Sequence, residues 1–287
     1  MQHGPAVRRR KLGAELRALR TRAGLTSGEA ARLVGWHQSK VSRIETGASG
    51  AKPADVRALL DAYGVGDPQL REVMLALAGL DDGGGGRDHW WHAYRGVLPP
   101  TYRDFISLES QAGAMRTLET TVVPGLLQTA EYARAVTRAA VEGVSEERLD
   151  TLVEVRLTRQ EVLRAHPPLK LDAVLDEAVL RREVGGPEVM ARQLDRLLEA
   201  ARLPQVRLQV LPFTAGAHIG VTGPFVLFSF SSTSDLDVVV LDHLTSTLYL
   251  ERKEDLRVYT EAFNALQANA LSPEDSLEYI AAIGDGV

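Results

Sequence analysis

The segment from Leu25 to Gly47, L-T-S-G-E-A-A-R-L-V-G-W-H-Q-S-K-V-S-R-I-E-T-G, constrains this chain most, because it spells two short helices and the turn between them. Thr26 is placed to cap the first helix, accepting from the amide of Glu29 while Glu29 reaches back. Ala30, Leu33 and Val34 fall on one face of that helix. Gly35 supplies the positive φ that ends a helix sharply. In the second helix Val41 and Ile44 point inward, leaving Gln38, Ser39, Lys40, Ser42 and Arg43 outward. An exposed row of amide, hydroxyl, ammonium and guanidinium groups carries the donors and acceptors that read base edges in a major groove.

The flanks read as helix too. Leu12, Leu16 and Leu19 form a stripe before the segment, and Val56, Leu59, Leu60 and Tyr63 form another after Pro53. Residues 1–57 hold twelve Lys and Arg against four Asp and Glu, in a chain of formal net charge −5. The basic end therefore concentrates attraction for phosphate, while the acidic remainder limits adhesion elsewhere. Arg9 and Arg10, in the run Arg8-Arg9-Arg10-Lys11, either clamp a DNA backbone or belong to a solvated tail. Thr26, Ser27 and Lys52 are further phosphate candidates. Arg43 either donates to guanine, touches phosphate, or pairs with Glu45 or Glu29.

The segment resembles the helix-turn-helix of the Xre/lambda-repressor-like regulators, with Ser39 through Gly47 (S-K-V-S-R-I-E-T-G) matching that pattern most closely. The resemblance implies an all-α domain of about five helices that binds double-stranded DNA. Where that family offers a glutamine to a phosphate, this chain has Ser27 and Gly28. One short helix makes few base contacts, so a homodimer on a two-fold site is expected.

The chain of 287 residues has length for two domains. Asp81-Asp82-Gly83-Gly84-Gly85-Gly86 reads as a linker, giving a helix-turn-helix domain over 1–80, a linker over 81–88 and a second domain over 89–287. There is no cysteine, which excludes disulfides, thiolate metal sites and cysteine nucleophiles. No apolar run approaches a membrane span and no secretory signal is visible, so a cytoplasmic protein is expected.

In the second domain, Phe105, Leu108, Glu109, Ala112 and Met115 fit one helix, Gln128 to Ala139 another, and Ser145 to about Ala165 a third. Strand-like runs cover 169–176, 206–212, 224–230, 236–241 and 247–251, with helices at 187–201, 253–269 and 273–283. The expectation is an α+β fold: the all-α first domain plus a mainly antiparallel sheet of about five strands packed with helices.

Val123-Pro124-Gly125-Leu126-Leu127-Gln128-Thr129-Ala130-Glu131-Tyr132 is similar to the hallmark of a domain of unknown function fused to Xre-type motifs in actinobacterial regulators of the WhiJ-like group. Arg156-x-x-Arg159-Gln160, Asp176-Glu177-Ala178 and Gly216-Ala217-His218 fit the same pattern. The resemblance implies a transcription factor with a small regulatory protein partner in an antitoxin-like arrangement. On the residues alone, the G-L-L-Q-T stretch either builds a turn and cap or lines a pocket or partner groove with Trp91, Tyr102, Gln128 and Tyr132. Arg156 and Arg159 either grip an anionic ligand or partner, or bridge to local glutamates.

Asp88-His89-Trp90-Trp91-His92 offers two histidines at i and i+3, but no third ligand is implied, so aromatic packing is the expected role and no metal or cofactor is assigned. His218, Asp242 and His243 have no serine elbow to serve, and G-x-S-x-G is absent, so no catalytic residue is assigned. The competing readings of the second domain are a partner-binding module, a small-molecule sensor and an enzyme with a DNA tether.

Overall fold

Leu12, Leu16 and Leu19, at helical spacing, are all buried on α1 (Gly4–Arg22). The computed structural model describes residues 4–79, 90–94, 96–230, 237–284 and 286. No helix among the described residues is long and apolar enough to cross a membrane. The chain divides into two compact units, Met1–Gln111 with Phe230–Leu236, and Ala112–Ser229 with Asp237–Val287. The division thus falls after Gln111; the glycine run expected to mark it lies outside the described residues.

In the first unit α1 is followed by α2 (Ser27–Leu33), α3 (Gln38–Glu45), α4 (Pro53–Ala62) and α5 (Pro68–Gly79), the five helices expected. Their core gathers Leu16, Ala30, Ala31, Val41, Ile44, Val56, Leu59, Leu60 and Met74. One inward residue was misplaced by the pattern. Leu33 is 61% exposed, because Ala30, Ala31 and Val34 form the inward arc and, at about 100° per residue, Leu33 falls beyond its edge. Trp90–Tyr94 forms a 3₁₀ turn in which Trp90 meets Trp91 and Tyr94 edge to face, at 5.9 and 6.0 Å between ring centroids. α6 (Pro100–Gln111) packs against α1.

The second unit is built on a six-stranded sheet of order β3-β2-β1-β4-β5-β6. The strands are β1 (Ala114–Glu119), β2 (Lys170–Asp176), β3 (Val206–Leu211), β4 (Phe225–Ser229), β5 (Val238–His243) and β6 (Ser246–Leu250). β1–β2 and β2–β3 are parallel, and the other three pairings are antiparallel, so the sheet is mixed and has one strand more than expected. The strand the sequence concealed is β1. Met115 was assigned to the helix of Phe105 and Leu108, but that helix ends at Gln111, and beyond Gly113 the chain is extended. β1 lies between β2 and β4, and its burial alternates only from Ala114 to Thr117 before Thr117 and Leu118 are buried in succession, so the period-2 signal is too short to stand out.

Parallel neighbours require crossovers. α7 (Ala130–Ala140) and α8 (Glu146–Arg159) connect β1 to β2, and α9 (Glu177–Arg181) and α10 (Pro187–Ala200) connect β2 to β3. Leu118, Val174, Leu227 and Val239 of the sheet form a core with Leu256, Phe263 and Leu266 of α11 (Lys253–Asn269). At the β3 edge the chain leading into α12 (Pro273–Gly284) closes the ladder: the Leu271 amide donates to the Val210 carbonyl at 2.9 Å, and the Val210 amide donates to Ser276 Oγ at 2.9 Å.

Candidate nucleic-acid interface

The geometry of α3 is set by its neighbours. Thr26 and Glu29 form the expected capping box: the Glu29 amide donates to Thr26 Oγ1 at 3.2 Å and the Thr26 amide to Glu29 Oε2 at 2.8 Å. The Thr26 hydroxyl hydrogen also goes to Glu29 Oε2, at 2.6 Å. Gly35 turns the chain with φ 70°, and the Trp36 amide returns to the Ala31 carbonyl at 2.8 Å. Val41 and Ile44 are buried, and so is Glu45.

Glu45 is the anchor that the sequence reading did not identify. Its carboxylate accepts from Arg20 Nε at 2.7 Å, from Arg20 Nη2 at 2.9 Å and from the Tyr63 hydroxyl at 3.2 Å. Arg20 also donates from Nη1 to the Leu25 carbonyl at 2.7 Å, so one guanidinium joins α1, the α2 entry and α3. Burial beside Glu45 pushes the Tyr63 hydroxyl well above its usual range, which keeps it a donor. Gly13 permits the close crossing of α1 and α3, since a methyl group there would lie 2.7 Å from the Glu45 carbonyl oxygen and closer still to that of Ile44. A glycine inside helical text was the available signal for this contact.

With Glu45 turned inward and Glu29 engaged with Thr26, Arg43 pairs with neither. Its side chain is exposed and has no hydrogen-bond or ionic partner among the described residues. Ser39 and Ser42 are exposed beside it. Gln38 is exposed and donates from Nε2 to Ser27 Oγ at 3.0 Å, which fixes its amide at the start of the helix. Lys40 turns aside, its ammonium 2.8 Å from Oδ1 of Asp55 in α4 and 3.6 Å from the centroid of the Trp36 ring. Lys52 is exposed just before α4, where its amide donates to Asp55 Oδ2 at 3.3 Å. Arg9 and Arg10 belong to α1, but their side chains lie outside the described residues.

The candidates for a second site fall in different units: Trp91 and Tyr102 in the first, Gln128, Tyr132, Arg156 and Arg159 in the second. Those of the second unit lie in and around the G-L-L-Q-T stretch, whose backbone is held by Gln160 and Gln193. Leu126 and Leu127 are fully buried in a 3₁₀ turn, and Thr129 caps α7 by accepting from the Tyr132 amide at 3.2 Å. Gln128, 2% exposed, donates to the Val123 carbonyl at 2.6 Å and accepts from Arg156 Nη1 at 2.9 Å. The Tyr132 hydroxyl accepts from the Val123 amide at 3.1 Å. Gln160 donates to the Gln128 carbonyl at 2.7 Å. Gln193 donates to the Leu127 carbonyl and accepts from the Thr129 amide, both at 2.8 Å. The Arg159 guanidinium covers Gly125, where a methyl group would stand 3.4 Å from Nη1.

Above this turn, Glu119 at the end of β1 accepts from Thr117 Oγ1 at 3.0 Å. Burial pushes its carboxyl up to about 7, against the opposing effects of Thr117 and of the nearby Arg159. His218 is likewise bonded within the fold, accepting from the Gly220 amide on Nδ1 at 3.2 Å with Nε2 3.8 Å from Asp176 Oδ2. Asp88, His89 and the His92 side chain lie outside the described residues; among those described, no cluster of acids and histidines is arranged to hold a metal.

A helix-turn-helix domain model matches residues 11–73, covering α2, α3 and their flanking helices, and a module of this type suggests a DNA-binding regulator. No curated protein and no solved structure matches the chain. A second model, described as a domain of unknown function (DUF5753), matches residues 102–282. That match covers more than half of the chain, so the protein belongs to the DUF5753 family, here joined to an N-terminal helix-turn-helix domain.

Proposed function

We propose that this protein is a sequence-specific, DNA-binding transcriptional regulator of the cytoplasm, related to the Xre-type, WhiJ-like regulators. It acts as a homodimer on a two-fold site. The observation that carries this reading is the outer face of α3, where Gln38, Ser39, Ser42 and Arg43 are exposed while Val41, Ile44 and Glu45 anchor the opposite face. Arg43 in particular keeps five donors without an internal partner among the described residues. The DUF5753 unit then serves as the regulatory module, and a small protein partner is its proposed counterpart.

The test is binding to the protein's own promoter and to scrambled duplex, with Arg43→Ala beside the unaltered chain. The variant should lose about 1–3 kcal/mol on the cognate site, with little change on random duplex and an unchanged melting temperature. Equal loss on both duplexes, or no preference by the unaltered protein even at low salt, contradicts the reading.

A second reading, a one-component small-molecule sensor, is favoured by a cavity of about 290 Å³ in the second unit, lined by Leu180, Arg181, Met190, Tyr279 and Ile283. A ligand filling it raises the melting temperature by mass action. Copurification of a small protein without any such shift supports the partner reading instead.

A further inference from the structure

Lys40 stands in the first turn of α3, three residues before Arg43 and therefore beside it on the helix surface. A cation at that position suits a phosphate or the O6 and N7 atoms of guanine. Its ammonium is drawn to two internal groups instead. Asp55 Oδ1 lies 2.8 Å away, and the Trp36 ring lies beneath it with the centroid at 3.6 Å. The Lys40 side chain is 39% exposed and that of Asp55 only 20%. Asp55 is itself fixed, because it belongs to the first turn of α4 and its other oxygen accepts from the Lys52 amide. A carboxylate and an aromatic face thus hold one ammonium from two sides.

We propose that Asp55, together with Trp36, withholds the Lys40 charge from DNA and so raises the discrimination of the recognition face. The inference rests on α3 being the DNA-reading helix. Base contacts hold α3 in one register on the cognate site, whereas on random duplex the protein settles where its cations meet phosphates. A free lysine therefore strengthens random binding more than cognate binding and narrows the ratio between them. Paired with Asp55, Lys40 adds no net charge to the face. Reading then falls to Gln38, Ser39, Ser42 and Arg43, of which Gln38 is fixed by Ser27. Asp55 is a positioning residue that acts through Lys40 and touches no base.

A double-mutant cycle on the full chain tests this, using Asp55→Asn, Lys40→Gln and the double variant on cognate and random duplexes across a salt series. Asn keeps an oxygen for the Lys52 amide, and thermal melts check the fold of each variant. Asp55→Asn should tighten binding to random duplex about three- to tenfold at low salt and steepen the salt slope by about one. Lys40→Gln alone, which uncovers the Asp55 carboxylate, should weaken all duplexes alike by no more than about threefold, and the double variant, neutral again at this place, should behave like the unaltered protein. The proposal is overturned if Lys40→Gln alone costs more than about tenfold on the cognate site, or if Asp55→Asn leaves the random-duplex affinity and salt slope unmoved. Should Asp55→Asn melt early, the Lys40→Gln result still decides. If the unaltered protein prefers no duplex, the reading of α3 fails and this inference with it, whereas normal wild-type preference with a flat cycle removes Asp55 alone.

Discussion

In the first unit Gln38 and Arg43 stand exposed on α3, one tied to a single serine and the other without an internal partner among the described residues. In the second, Gln128, Gln160, Gln193 and Arg159 are buried, and the three glutamines spend their amides on main-chain groups around the G-L-L-Q-T turn. The residue types are the same and their roles are opposite. A long polar side chain left in water can recognise something outside the protein. Where folding has removed the water, the same group must satisfy backbone donors and acceptors that would otherwise stay unpaired.

The comparison is sharpest where removing a side chain strands a buried partner. Glu45→Ala leaves the Arg20 guanidinium, on a side chain only 12% exposed, without its carboxylate and Tyr63 without its acceptor. The expected loss is about 3–5 kcal/mol, read as a drop in the urea midpoint together with loss of DNA binding. A loss below about 1 kcal/mol would show that the Arg20–Glu45–Tyr63 group is not what holds α3. Gln193→Ala strands the Leu127 carbonyl and the Thr129 amide, and should cost about 2–4 kcal/mol. DNA affinity of the folded fraction should be unchanged, and a specific binding defect at full stability would break the distinction between the two units.

Glu119 predicts a pH effect. Its carboxyl, raised from 4.5 to about 7 by burial, holds a proton in the native chain that the unfolded chain releases. Its contribution to stability is therefore full below about pH 4.5 and is lost as the pH climbs to about 7. Denaturation across that window should show a steeper decline for the wild type than for Glu119→Gln, and parallel profiles would refute the assignment. The smallest change is expected for Gln38→Ala. Stability should stay within about 0.5 kcal/mol, as for other exposed positions, while preference for the cognate site weakens.

The helix-turn-helix region was legible because its determinants are local. The cap lies three residues from its partner, and the apolar spacing of Val41 and Ile44 sorts α3 into an inner and an outer face. What escaped reading depends on distant partners. Glu45 stood equally well as a mate for Arg43 until the fold brought Arg20, 25 positions away, against it. Lys40 read as a base contact because Asp55 belongs to another helix. Gln128 was left with two roles because one of its hydrogen-bond partners, Arg156, stands 28 positions away. β1 was hidden for a different reason: its alternation runs for only four residues before Thr117 and Leu118 are buried in succession, so its text is as compatible with the end of a helix.

The reach of these ties also bears on how the chain acquires its shape during synthesis. The polar links of α3 to α1 and α4 join residues no more than 25 positions apart, so all of them exist once Tyr63 has left the ribosome. The main-chain groups of Leu127 and Thr129 wait for Gln193, more than 60 positions later. A nascent or truncated chain ending before Gln193 exposes a hydrogen-bond-hungry turn beside two leucines meant for the interior, the kind of surface that chaperones and proteases act on.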